Sequence, residues 1–311
     1  MDKRNEKRYV SQDVEAVITS YNQGTMILES LQSLCSQTLL PRKIFIIDDG
    51  STDDTSLNIL KGIEADTELP IPIIIIRQPN QGVSAARNTG IRRAEAPLVL
   101  VLDGDDRVEP SYIKEVRDML RKNPSMTAAS SWLHTFGILE AEVRPMGGGP
   151  AAFLSRNCCP ATHMLRRQAW AQCGGYDESM RSGFEDWDFF LSMLETAPDA
   201  HIGIVEKPLI GYRTAPASFS IRSMSRRLEL IKYLIEKHNR LYTEHMAEAI
   251  LGIESISMSR LYGWENEILE SLNQEQTLSR PSQDFLKHPT YGDGGMAAAV
   301  RIASLKESCS P

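Results

Sequence analysis

Leu98-Val-Leu-Val-Leu102 runs straight into Asp103-Gly104-Asp105-Asp106. A continuous apolar run of this length reads as a strand buried on both faces, as in a parallel sheet, and open α/β sheets bind ligands at the carboxyl ends of such strands. Three Asp within four residues repel one another unless something positive lies between them. Hard divalent cations suit such a cluster, because Mg²⁺ or Mn²⁺ is commonly held by one or two carboxylates and completes its shell with water and phosphate oxygens. Taken alone, the four residues equally describe an acidic, glycine-containing turn after a strand.

Upstream of this run, apolar strands alternate with amphipathic stretches, the pattern of a parallel sheet covered by helices. Val14-Glu-Ala-Val-Ile-Thr19 ends at Ser20-Tyr21-Asn22 and is followed by Ile27, Leu31 and Leu34 at helical spacing. Lys43-Ile-Phe-Ile-Ile47 ends at Asp48-Asp49-Gly50-Ser51, ahead of Leu57, Leu60 and Ile63. Ile71-Pro-Ile-Ile-Ile-Ile76 ends at Gln78-Pro79-Asn80-Gln81-Gly82 and leads into a short helical segment with Arg87 and Asn88. Downstream of Asp106, Pro110 is placed as the first residue of a helix carrying Ile113, Val116 and Leu120. Every polar cluster therefore falls at one edge of the expected sheet.

Composition narrows the function classes. The 311 residues, 41% hydrophobic and 24% charged, suit a soluble globular chain with ample core, and the net charge of −7 argues against a general nucleic-acid partner. No apolar run reaches the length of a bilayer-spanning helix, and residues 1–8 have no signal-like apolar segment, so the expected location is cytoplasmic. Cys35, Cys158, Cys159, Cys173 and Cys309 show no metal-ligand spacing and read as reduced structural thiols.

Between Thr127 and Tyr212 the pattern is irregular, with a flexible Gly147-Gly-Gly-Pro150 stretch and short apolar runs at Thr162-His-Met-Leu165 and Ile202-Gly-Ile-Val205. This half is expected to receive a second substrate. Beyond Ile221 the character is helical, with Met224, Leu228, Ile231, Leu234, Leu241 and Tyr242 near one face. Its basic residues Arg222, Arg226, Arg227 and Lys232 raise peripheral contact with anionic lipid, although packing on the protein's own domain is the favoured reading. The expected division is a polar segment over 1–12, a main domain over 13–220, a helical extension over 221–274 and a loosely held tail over 275–311.

Asp48-Asp49-Gly50-Ser51-Thr52-Asp53 joins a strand to a helix. Ser51 or Thr52 can cap that helix, but capping does not explain a double Asp on the strand side, where a carboxylate can accept from a nucleobase N–H or a ribose hydroxyl. Tyr21 offers a stacking face nearby. A second acidic cluster, Gly183-Phe-Glu-Asp-Trp-Asp-Phe-Phe190, follows Gly174-Gly-Tyr-Asp-Glu178. Its carboxylates suit a helix start, and one of them at the edge of an apolar wall could act as a general base.

Together these segments resemble the inverting family 2 glycosyltransferases of the GT-A fold. The resemblance covers roughly residues 13–220 and is carried by Val17-Ile-Thr-Ser-Tyr-Asn22, Gln37-Thr38, Asp48-Asp-Gly-Ser-Thr-Asp53, Asn80-Gln-Gly-Val-Ser-Ala-Ala-Arg-Asn-Thr-Gly90, Leu102-Asp-Gly-Asp-Asp106, Gly174-Gly-Tyr-Asp177 and Glu185-Asp-Trp-Asp188. It implies an α/β fold with a mostly parallel sheet flanked by helices (13–120 binding the nucleotide, 121–220 the acceptor) and a helical C-terminal extension. It also implies a nucleotide-diphosphate sugar donor, UDP-sugar by default, with GDP- and dTDP-sugars as alternatives. The acceptor would be a saccharide or a lipid-linked molecule in cell-surface polysaccharide or glycolipid synthesis.

Carried over by position, Tyr21 would pack near the base, Asp49 would hydrogen-bond it, Asn22 would belong to the donor-binding set, and Arg87 would lie close to the nucleotide. Asp103 would contact the ribose side. Asp105, with Asp103, would hold Mn²⁺ or Mg²⁺ at the diphosphate. Gly174 and Gly175 would leave room for the sugar. Asp186 would be the general base, with Glu185 supporting it. A departure stands near the end of the match: the family's Tyr-Arg pair is often followed by His and then Ser, whereas Tyr212-Arg213 is followed by Thr214-Ala-Pro-Ala-Ser-Phe-Ser220. A nucleotidyltransferase is disfavoured by the lack of a Gly-rich, basic phosphate loop after the first strand. A non-catalytic binding protein is disfavoured by the separate base.

Overall fold

The computed structural model describes residues 9–215, 223, 225–273, 277–288, 294–295, 298–300 and 302. Two compact units divide between His245 and Met246. In chain order the strands are β1 (Tyr9–Val10), β2 (Val14–Ser20), β3 (Leu39–Leu40), β4 (Ile44–Asp48), β5 (Ile73–Arg77), β6 (Leu98–Asp103), β7 (Arg107–Val108), β8 (Met126–Gly137), β9 (Glu142–Val143), β10 (His163–Arg166) and β11 (His201–Thr214). The helices of the first unit are α1 (Met26–Cys35), α2 (Asp54–Ala65), α3 (Val83–Arg93), α4 (Tyr112–Lys122), α5 (Pro150–Phe153), α6 (Arg167–Cys173), α7 (Glu185–Leu194), α8 (Arg227–Lys237) and α9 (Asn239–Glu244). The second unit contains α10 (Met246–Asn273) and α11 (Arg280–Lys287), with Trp264 packed on Phe285 at 4.7 Å and Ile268, Ala298 and Ile302 buried.

Strand β6 is buried from Leu98 to Leu102, as its apolar run requires. The parallel part of the sheet has the order β5-β4-β2-β6. The chain therefore steps outward from β2 to β4 to β5 and returns to the other side of β2 for β6. Strand order reverses between β2 and β6, and a crevice for ligand opens at such a switch point, beyond the carboxyl ends of the strands. Thr19 lies in register with Asp103 there, and its Oγ1 donates to Asp103 Oδ1 at 3.1 Å. Beyond β6 the sheet continues through β10, antiparallel to both β6 and β8, and then through the parallel pair β8 and β11.

Helix α3 has 11 residues and packs on β2 through Gly90, where an added Cβ would stand 2.3 Å from Val17 Cγ1. Val17 is fully buried, so Gly90→Ala is expected to cost about 1–3 kcal/mol by overpacking, read as a lower thermal midpoint. Gln37 also proves structural. It is buried, donates to the Ser33 and Glu109 carbonyls and accepts from the Ile113 N–H, tying α1 to α4.

Local details depart from the sequence reading. Helix α2 is capped by Asp53, which accepts from the Ser56 N–H at 2.8 Å, while Ser51 accepts from the Asn22 N–H. Helix α4 starts at Tyr112 after a turn closed by Tyr112 N–H to the Glu109 carbonyl, so Pro110 precedes the helix. The stretch from Thr127 to Tyr212 is more regular than its composition suggests, because β8 and β11 are strands of 12 and 14 residues. Polar residues hide β8: Ser130 is buried and donates to the Thr162 carbonyl at 2.6 Å, and Thr135 donates to Leu139. Register shifts around Pro208 break the alternation of β11. In the C-terminal helices Leu230, Leu234 and Leu241 are buried, whereas Leu228 is 86% exposed; Arg222 and Met224 lie outside the described residues. Among the described residues, no helix is long and apolar enough to cross a membrane.

Candidate active site

A cavity of about 650 Å³ opens over the switch point. Tyr21 borders it after β2, Asp49 after β4, Arg87 on α3, Asp103 and Asp105 at the end of β6, Glu185 at the start of α7 and Arg213 on β11. Residues separated by more than a hundred positions meet because β2, β4 and β6 end on one edge and α7 approaches that edge from the second half of the chain.

Arg87 stands at its centre and is 1% exposed. Its Nη2 donates to both oxygens of Asp103 at 2.9 Å, its Nη1 donates to Glu185 Oε1 at 3.2 Å, and its guanidinium lies 5.3 Å from the Tyr176 ring centre. Burial opposes its charge, but the negative charges of Asp103 and Glu185 prevail and hold its pKa above the ordinary arginine value. Tyr176 stacks on Phe189 at 3.8 Å and bonds His163 Nε2 at 3.3 Å. Burial pushes His163 down to about 3, so its ring is neutral; Nδ1 sits 2.7 Å from the Ala161 carbonyl, which makes His163 a core residue.

Asp105 has a different environment. Its carboxyl is pushed up to about 6, first by burial and then by the charge of Asp103. No side chain of another described residue donates a hydrogen bond to it. Asp106 is buried and structural, accepting from the Arg213 N–H at 2.8 Å, and burial raises its pKa well above the usual range. Arg213 donates from Nε to the Asp105 carbonyl at 2.9 Å and from Nη2 to Glu29 at 2.7 Å.

Among the described residues, no three His, Cys, Asp or Glu side chains form a metal-ligating group. The carboxylates still suit a divalent ion that keeps most of its shell for water and phosphate, since such ions need only one or two protein carboxylates. Asp105 is the carboxylate left for that task. Asp103, assigned with it from sequence, already gives both oxygens to Arg87. Residues 216–220, in the stretch where a histidine is missing, lie outside the described residues.

Other expected residues fall differently. Tyr21 is 48% exposed on the cavity wall. Asp49 also borders the cavity, but its carboxylate accepts from Gln78 Nε2 at 2.7 Å and from the N–H groups of Gln81 and Gly82 at 3.0 and 2.8 Å, anchoring the turn before α3. Asn22 does not line the cavity; its side chain accepts from the Thr52 N–H at 2.8 Å and stitches the turn after β2 to the one after β4. Gly174 and Gly175 do not line it either. Gly174 ends α6 in the left-handed region at φ 85°, and an added Cβ on Gly175 would stand 2.7 Å from Asn88 Oδ1.

Glu185 borders the cavity, whereas Asp186, the next residue, is partly exposed but is not among the residues that line it. Asp186 accepts from Asn157 Nδ2 at 2.9 Å and from the Trp187 N–H at 2.8 Å. Its carboxyl is pushed up to about 7, chiefly by burial and then by the Glu185 charge, with Arg87 pulling the other way. Phe184, which precedes the pair, has φ 64° and turns the chain sharply into α7. From behind, Asp188 is fully buried and accepts from Lys237 Nζ at 2.9 Å and His238 Nε2 at 3.0 Å. Asn157, Lys237 and His238 carry no motif, so sequence reasoning missed them.

Residues 15–166 match the family described as Glycosyl transferase family 2. Over this stretch the chain is a family 2 glycosyltransferase domain. Within family 2 and its likenesses, it is 28% identical over 269 residues to a chondroitin synthase of Escherichia coli, covering 81% of this chain and 36% of that protein. It is 25% identical over 186 residues to an uncharacterized glycosyltransferase, YwdF, of Bacillus subtilis strain 168, covering 57% and 66%. The chain thus spans from about a third to two thirds of the length of these curated relatives. The fold is shared with Staphylococcus aureus TarS 1–349 in complex with UDP-GlcNAc, at a TM-score of 0.58, 16% identity and coverage of 76% of this chain and 72% of that one. These likenesses agree with the GT-A fold expected from the motifs.

Proposed function

We propose that this protein transfers a sugar, with inversion, from a nucleotide-diphosphate sugar to a hydroxyl of a saccharide or lipid-linked acceptor, in a metal-dependent reaction. UDP-sugar is the donor we favour. The observation that carries this reading is the pairing through Arg87 of Asp103, in the first acidic cluster, with Glu185, which adjoins Asp186. Two carboxylate groups from opposite halves of the chain thereby face one cavity, and each has a different task.

Asp105 would hold Mn²⁺ or Mg²⁺ at the diphosphate. Such an ion, when bound, supplies Lewis-acid stabilisation of the charge on the departing diphosphate. Asp186 takes the proton of the acceptor hydroxyl as its oxygen forms a bond to the anomeric carbon. The bond from that carbon to the diphosphate oxygen breaks on the opposite face, and its electron pair leaves with the diphosphate. Arg87 keeps the charges of Asp103 and Glu185 paired, and Asp186, which no cation bonds and whose carboxyl is pushed up to about 7, is the acid suited to take a proton near neutrality.

A base must be ionised, and the Asp186 carboxyl is pushed up to about 7. The rate kcat/KM is therefore expected to rise with pH through about 7 and then level off, measured as sugar transfer across a buffer series. A flat profile across that range would remove Asp186 from this role. Calorimetry with UDP and GDP, with and without Mn²⁺, tests the donor site. Asp105→Asn is expected to lose roughly tenfold or more in nucleotide affinity when Mn²⁺ is present and little when it is absent. Equal affinities for wild type and variant in Mn²⁺ would take the metal away from Asp105.

A further inference from the structure

Five carboxylates, those of Asp49, Asp103, Asp105, Asp106 and Glu185, border the cavity together with three guanidinium groups, those of Arg87, Arg181 and Arg213. Two of the three cations are already committed inside the protein. Arg87 is divided between Asp103 and Glu185. Arg213 is bound to Glu29 and the Asp105 carbonyl and lies 4.5 Å from the Phe136 ring centre. Arg181 differs, because among the described residues its guanidinium has no hydrogen bond, no ion pair and no ring partner, although it borders the cavity.

The loop that carries Arg181 is nevertheless fixed at both ends. On one side Asp177 accepts from Lys237 Nζ and Tyr233 Oη, each at 2.7 Å, and from the Ser179 N–H at 2.9 Å. On the other side Ser182 is bonded by Arg226. Between them Met180 is buried and its N–H bonds the Asp177 carbonyl at 3.2 Å. Helix α8 and the residue before it thus supply the cations that anchor this loop, and leave Arg181 at the cavity. Arg181 stands against Gly82, where an added Cβ would lie 3.6 Å from its Cγ and 3.7 Å from its Nε. Gly82 in turn donates to Asp49, so Arg181 faces the donor half of the cavity, formed by the ends of β4 and the start of α3.

We propose that Arg181 binds the phosphates of the nucleoside diphosphate, an inference that rests on reading the cavity as a donor site. A diphosphate brings more than one negative charge into a wall of carboxylates, and a single divalent ion at Asp105 does not offset the whole. A guanidinium with all its donors available matches phosphate oxygens in a paired geometry, and a loop anchored in advance spends little ordering entropy in presenting it. The same loop runs on into Glu185 and Asp186, so this contact joins donor phosphates to the segment that carries the base.

The test is calorimetric titration of wild type and Arg181→Ala with uridine and UDP, and with guanosine and GDP, in Mn²⁺. Expected is a loss of roughly tenfold or more in diphosphate affinity with nucleoside affinity unchanged. The thermal midpoint should stay at the wild-type value, because no internal bond is removed. A variant that binds the diphosphate as wild type does, or that loses nucleoside and diphosphate equally, overturns the proposal. Wild-type protein that holds neither diphosphate more tightly than its nucleoside overturns instead the donor-site reading beneath it.

Discussion

Asp186→Asn is expected to lower kcat by about 10²–10⁴ while leaving UDP affinity within about twofold of wild type. The amide keeps the shape of the carboxylate and one acceptor oxygen for the Asn157 or Trp187 N–H groups that hold it. It cannot accept the acceptor's proton. In the proposed reading the donor sits against Asp49, Asp103 and Asp105, which border the cavity, so donor binding should survive the substitution. Transfer assays and calorimetry on one preparation separate the two effects. The rising limb of the pH profile near 7 should disappear with the carboxylate. Transfer at the parental rate would falsify the assignment, and parallel losses in rate and donor affinity would instead indicate a disturbed fold around α7.

Arg87→Met should have the largest effect on stability, about 3 kcal/mol at neutral pH, because it removes one buried charge and leaves two carboxylates uncompensated. The lower part of the usual range applies. The Asp103 side chain is 25% exposed and keeps some hydration, whereas that of Glu185 is 10% exposed. The penalty has a definite pH sign. Because the penalty comes from uncompensated negative charge, it is absent in strong acid, where carboxyls are neutral whether the chain is folded or unfolded, and it grows toward neutrality. Denaturant midpoints of variant and wild type should therefore converge toward acid and separate toward neutrality. A constant difference across pH would mean that the loss comes from packing against Tyr176 alone.

How much of this was legible in the chain depended on whether the interaction was local. The buried run Leu98–Leu102 and the acidic turn after it follow from composition and spacing, because a parallel strand covered on both faces has to be apolar and has to end in polar chain. The same holds for the faces of α1 and α2, where Ile27, Leu31 and Leu34 or Leu60 and Ile63 are buried at helical spacing. Local reasoning did less well where two signals compete. Asp53, Ser51 and Thr52 are all good caps, and only the path of the turn between Asn22 and Ser51 assigns the task to Asp53. In β8 the polar run Ser130-Ser131 hides a strand, because hydroxyls can be buried wherever a neighbouring carbonyl accepts from them.

The sequence by itself determined the α/β architecture, the family and the two acidic clusters, since each rests on a short stretch of chain whose residue types serve one purpose. Tertiary structure alone decided which carboxylates are available. Asp49 and Asp103 look from sequence like ligand-facing acids, yet Asp49 is bonded by the turn before α3 and Asp103 by Arg87. Asp105 and Asp186 lack such a cation, and their carboxyls are pushed up to about 6 and about 7 respectively. The physical reason is that the free energy of a charge depends on what surrounds it in space. In this protein those surroundings include Arg87, Asn157 and Arg213, which lie far along the chain from one or more of the acids they influence.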